Sequence, residues 1–356
     1  MTIAKIQSIL LILFSLAYLY SCDNDESVEK PSPSFIWKKI GLDGLIVNRL
    51  ELYENNLYAI SNDGIYQMNV NSSNEFLPIG LQGKKIVDIV AISEQHLLAS
   101  YDKEMGNAEI YESMDGGTTW SIKDTNFGDQ NFPELITDFS WDEDNEILYA
   151  TGYGVLAKSS NKGTSWEIVW GEWGTLATGM MIGINPKINK DIWFGGQGSI
   201  ENGYLIHLQN DLIQNEWSDL VPNPTAVEEI FFDQNTPQNI YVGWEGELNK
   251  TSDYGTTWET LINRHEEAHF FNGIGVSETN SNLLFTGKWI KGPKNQPLTL
   301  YYSKNGGANW EEETYPDEEN GGILDIKLIS TESKERIFVA LDEGGVYEVI
   351  INTSKL

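Results

Sequence analysis

The chain is poor in cysteine, in basic residues and in long apolar runs. Cys22 is the only cysteine among 356 residues, so an intrachain disulfide and a thiolate-based metal centre are both excluded. Lys and Arg total 23 against 53 Asp and Glu, a formal net charge of −30. At that charge nucleic-acid binding by counterion release is excluded, and acidic polysaccharides are poor partners unless cations bridge them. It suits a self-repelling surface domain, a neutral ligand or a cationic partner. The one strongly apolar stretch, residues 6–20, is shorter than the ~20 residues a membrane helix needs.

That stretch reads instead as an export signal. Lys5 supplies the positive start, and Leu19-Tyr20-Ser21-Cys22 resembles a bacterial lipobox. Asp23-Asn24-Asp25-Glu26-Ser27 comes directly after it, then Pro31-Ser32-Pro33-Ser34, with no residue able to build a core. An acidic stretch behind the acylated cysteine resembles the surface-export signal of Bacteroidetes lipoproteins. The expectation is a signal peptide over 1–21, lipidation at Cys22, a tether over 22–34 and a folded domain over 35–356. The resemblance implies an outer-membrane protein facing outward, held by its lipid alone. Loss of Lys5, the one charged residue in 1–21, takes the net charge from −30 to −31.

What the domain has in abundance is one recurring phrase. Ser113-Met114-Asp115-Gly116-Gly117-Thr118-Thr119-Trp120 reads S-x-D-x-G-x-T-W. It returns over 159–166 with Asn161 and Trp166, over 251–258 with Asp253 and Trp258, and over 303–310 with Asn305 and Trp310. Asp or Asn accepts backbone N–H groups in an Asx-turn, Gly supplies positive φ, and Trp opens the next strand. The phrase resembles the Asp-box (BNR) repeat of sialidase-type, sortilin-type and xyloglucanase-type β-propellers. That resemblance makes the box residues turn clamps, not catalytic groups, and puts the boxes on the face away from the ligand.

Repeats of about 40–50 residues with four strands each imply a propeller, because one such sheet cannot bury both faces alone. Two blades carry worn boxes. Phe76 and Asn71 replace Trp and Asp in the first, and Trp217 survives beyond a degraded loop over 209–216 in the other. The last blade, 323–351, has three strands. Phe35-Ile36-Trp37-Lys38-Lys39-Ile40 matches the strands that come after other boxes and is expected to complete it. The expectation is an all-β, seven-bladed propeller closed by N-terminal strand exchange, acting as a monomer.

Loops after the second and fourth strands of each blade lie opposite the boxes. They collect Trp170, Trp173, Trp244 and Trp289, with Arg264, His265 and His269 close by in sequence. Indole faces beside carboxylates and amides suit sugar rings or a partner protein from the envelope, so these seven residues are the expected ligand contacts. The alternative for the four Trp is packing between blades. Arg49, Asp88, Asp138, Glu229 and Asp325 each precede an apolar residue on a first strand and should converge on the central channel. Such a ring could hold Ca²⁺ or simply line a water-filled channel; no other cofactor or metal is expected.

Enzyme chemistry finds little support. His265-Glu266-Glu267-Ala268-His269 matches H-E-x-x-H, which binds zinc only on a helix, whereas the box Trp258 commits the residues after it to a strand. A sialidase clamps its substrate with three arginines. Here the three are Arg49, Arg264 and Arg336, with Arg336 expected in a turn on the box side. Xyloglucanase-type enzymes cleave between two propellers, and only one fits here. Photosystem assembly propellers, which this chain resembles in architecture, work through an arginine patch that it lacks. The reading is a non-catalytic binding propeller for a glycan or partner protein. The alternative is a glycoside hydrolase acting on neutral polysaccharide.

Overall fold

The computed structural model describes residues 35–356 except 74, 104–107, 130–131, 200–201, 218–225 and 294. The signal segment, Cys22 and the tether lie outside the described residues. Seven four-stranded antiparallel sheets form the domain. Their innermost strands, in chain order, are Val47–Tyr53, Ile86–Ala91, Asp138–Asp142, Thr178–Ile184, Val227–Phe232, Ile274–Ser277 and Ile323–Ser330. Neighbouring innermost strands contact one another, as do those of blades seven and one, so the ring is closed. The fold is an all-β seven-bladed propeller.

Closure uses the expected strand exchange. Phe35–Gly41 pairs antiparallel with Gly345–Asn352, with Phe35 opposite Ile351 and Trp37 opposite Val349. The outer edge of blade seven is thereby supplied by the start of the domain, which leaves no unpaired inner strand to fray. Apolar residues at alternate strand positions pack between adjacent blades. Leu283, Phe285, Leu298, Leu300 and Tyr302 of blade six, for example, share one cluster with Ile326, Ile337, Val339 and Phe35 of blade seven.

The four boxes make one hydrogen-bond pattern. Ser113 Oγ takes the Gly117 N–H at 2.8 Å, and Asp115 Oδ1 takes the Thr119 N–H at 2.8 Å. Asn161 and Asn305 accept the Ser165 and Asn309 N–H groups at 2.8 and 2.9 Å, so the amide does the carboxylate's work. Thr119 and Thr257, by donating to them, hold the Asp115 and Asp253 carboxyls below their ordinary pKa. Trp120 Nε1 donates to Ile79 O of blade one at 2.8 Å, and Trp166 Nε1 to Thr125 Oγ1 of the loop after blade two at 2.9 Å. Each of these two indoles ties its blade to the preceding one.

The worn boxes differ from expectation in detail. In blade one Asn69, not Asn71, caps the turn, accepting the Asn71 and Ser72 N–H groups at 3.1 Å. In blade four the stretch over 209–216 is not a loop. Asn210 and Asp211 both have positive φ, 53° and 62°, which makes a two-residue hairpin turn between Gly203–Gln209 and Leu212–Trp217. Trp217 stacks on Trp193 at 5.2 Å and 15°, keeping its packing role without the box.

Candidate functional site

Each innermost strand runs away from the face opposite the boxes, so its first residues surround the channel mouth on that face. In blades one, two, four, five and seven a β-bulge falls near the strand start, at Val47/Arg49, Ile86/Asp88, Gly179/Met181, Val227/Glu229 and Ile323/Asp325. A bulge breaks the alternation and lets consecutive side chains face the same way. Asn48 and Arg49, Met180 and Met181, Glu228 and Glu229, and Leu324 and Asp325 accordingly line one cavity of about 390 Å³.

Below this mouth lies the expected ring, with an organisation the sequence did not reveal. Arg49 Nη1 pairs with Asp88 at 3.0 Å and with Asp138, and Nη2 lies 2.7 Å from Met181 Sδ. Three of the carboxylates also reach across to the next blade. Asp88 accepts the Phe139 N–H at 2.7 Å, Asp138 the Ile182 N–H at 2.6 Å, and Asp325 the Leu50 N–H at 2.7 Å. They are blade-to-blade clamps that satisfy amides of the next blade's innermost strand. Burial pushes the Asp138 carboxyl up against the pull of Arg49. Asp325 also takes Lys327 at 3.2 Å. Blades six and seven approach so closely that a Cβ on Gly273 would lie 2.6 Å from the Ile326 nitrogen.

Sequence reasoning missed Glu51, Lys327 and Glu228. The first two were accessible, because Arg49 with Glu51 and Asp325 with Lys327 stand two apart on one strand face. Burial raises Glu51 to about 8, opposed by Lys327. Glu228 depends on the bulge and carried no sequence signal. Burial, then the charge of Glu245, raises it to about 7.

The seven expected ligand contacts do not form one surface. Trp289 does line the cavity, with its ring edge-on to Phe270 at 5.0 Å and Nε1 donating to Asp342 at 3.0 Å. Its segment, Trp289–Ile290, pairs with His269–Phe270, so loops of blades five and six form a small ribbon at the mouth. Trp244 is 0% exposed, on the same strand face as Ile240 and Val242, and is a core residue rather than a contact. Trp170 stacks on Tyr204 at 5.7 Å, and Trp173 meets Phe127 edge-on at 4.8 Å. Both are half-buried and pack within the ring of blades and its loops, as the alternative reading had it.

The histidine motif is not a zinc site. Residues His265–Glu267 form a single 3-10 turn ended by Ala268 in the left-handed region. His265 Nε2 bonds Glu247 at 2.8 Å, while His269 is 2% exposed with its pKa lowered by burial. Arg264 is exposed and lies 3.9 Å from Glu267. Among the described residues no group of three or more His, Cys, Asp and Glu is placed to hold a metal ion. Arg336 sits within Lys334–Leu341, not in a turn, and bonds Glu348 at 2.6 Å, so the three arginines stay apart.

No protein-family model matches the chain, and no curated protein matches it. Solved structures do. A GH74 enzyme from Niastella koreensis superposes with TM-score 0.64 at 15% identity, over 87% of this chain and 53% of that one. The chain thus spans about half of that enzyme. YCF48 from Cyanidioschyzon merolae gives 0.62 at 10% identity, over 89% and 99%. The extracellular domain of a hybrid two-component system from B. thetaiotaomicron gives 0.62 at 11%, over 88% and 42%. Fold is what these likenesses establish. The neighbours are propellers that serve different tasks on one scaffold, so function has to be argued from the site.

Proposed function

We propose that the chain is a lipid-anchored, non-catalytic binding propeller of the bacterial outer membrane that takes a glycan at its channel mouth. The observation that carries this reading is the cavity itself. Its volume of about 390 Å³ lies in the range of small-ligand sites, and its lining combines Trp289 with Asn48, Thr137, Thr178 and Asn272. An aromatic wall with amides and hydroxyls around it matches a sugar ring's C–H face and hydroxyls. A broad protein-docking face is less well supported, because Trp170, Trp173 and Trp244 are spent on packing.

Asp88, Asp138 and Asp325 are each engaged by a neighbouring blade's amide, which argues against a catalytic role for those three. A glycoside hydrolase needs two carboxyls free to exchange protons and set at a fixed separation. The surface location rests on Leu19 to Cys22, the acidic residues behind it, and the likeness to an extracellular bacterial domain. The test is glycan-array binding by the purified chain, with product analysis on each hit. Binding without new reducing ends supports the reading. Release of reducing ends would move the chain to the glycoside hydrolases, and an array without hits would remove the glycan.

A further inference from the structure

The cavity holds a charge imbalance that its neutral partners do not explain. Arg49 is occupied by Asp88 and Asp138, and Lys327 by Asp325. Glu228 and Glu229 remain. Glu229 accepts only its neighbour's amide, that of Ile230, at 3.1 Å, and Glu228 accepts no hydrogen bond among the described residues. Both residues line the cavity together with Trp289 and Phe270. Glu245 adds a third negative charge near Glu228; the cations that act on the pair are Lys291, which lies over the Phe270 ring at 5.7 Å, and then Arg49 on Glu228, and Lys327 and then Arg49 on Glu229.

We infer that the mouth is a subsite for an alkylammonium group, and that the glycan it takes carries a free amine. This rests on the glycan reading and narrows it to amino sugars. Carboxylates and an aromatic ring lining one cavity are the two surfaces an ammonium prefers, the first by charge and the second by the ring quadrupole. The chain's net charge of −30 draws cations toward such a cleft and repels uronic acids. Burial holds Glu228 near 7, so the subsite strengthens as the pH rises through neutrality and Glu228 gives up its proton.

The experiment is calorimetric titration of the purified full chain with three β-1,4-linked tetrasaccharides: glucosamine, N-acetylglucosamine and glucose. The glucosamine oligomer should bind at least ~10-fold tighter than the other two, the discrimination expected of one charge-assisted contact. Glu228→Gln should abolish that preference, and Glu228→Asp should keep most of it, with thermal melts of both variants showing a folded domain. Equal binding of the three oligomers, or a preference that survives Glu228→Gln, would overturn the ammonium subsite while leaving the glycan reading intact. Binding of tetralysine as tight as that of the glucosamine oligomer, with the same dependence on Glu228, would overturn the assignment to a sugar. No binding by any oligomer would overturn the ammonium subsite and leave the glycan reading to the array.

Discussion

The Asp325 carboxylate of blade seven accepts the Leu50 amide of blade one at 2.7 Å, so the ring closes at its centre as well as at its rim. At the rim the closure is the backbone pairing of Trp37 with Val349. Replacing Asp325 by Ala leaves a buried N–H unpaired and should cost about 2–3 kcal/mol, whereas Asn keeps an acceptor and should cost less. Urea unfolding of both variants measures this. Equal losses would mean that the hydrogen bond is not what Asp325 contributes.

Trp244 and Trp289 should separate stability from binding. Trp244→Ala empties a fully buried site and should cost about 3–5 kcal/mol. Trp289→Ala should leave the unfolding midpoint much closer to wild type and abolish glycan binding. The reverse pattern in paired melts and titrations would relocate the site.

Stability should fall as the pH rises from about 4.5 to 8. Glu51 has a folded pKa near 8, well above the ordinary carboxylate value, so the folded chain holds a proton that the unfolded chain has released. Raising the pH through that window therefore favours unfolding, and the loss levels off once Glu51 is ionised in both states. Lys327 opposes the shift and Asp88 adds to it. Glu51→Gln should flatten the melting temperature plotted against pH; an unchanged slope would assign the effect elsewhere in the channel.

Asp115→Asn should be nearly silent, because Asn161 and Asn305 already hold the same turn. Asp115→Ala removes the acceptor for the Thr119 N–H and should lower the melting temperature. Comparing the two melts checks that the boxes act through hydrogen bonding and not through charge.

The architecture was legible because its signals are local. An Asx-turn, a positive-φ glycine and a strand-opening Trp stand within eight residues, and Phe35-Ile36-Trp37 announces the missing strand by matching its siblings. The ring residues were legible too, though their partners in the next blade were not, since no spacing links Asp325 to Leu50. The packing of three expected aromatic contacts was hidden for a different reason. Trp244 went with strand alternation into the core, and Trp170 and Trp173 found aromatic neighbours distant in sequence. Glu228 reaches the cavity only because a bulge interrupts the alternation, which the residue pattern does not betray.

The direction of the closing strand has one last consequence. Phe35 pairs with Ile351, at the end of Gly345–Asn352 from which other blades go on into their boxes, so the closing strand begins on the box side. The seam that closes the ring therefore runs from the box side toward the channel mouth, where Gly41 meets Val346.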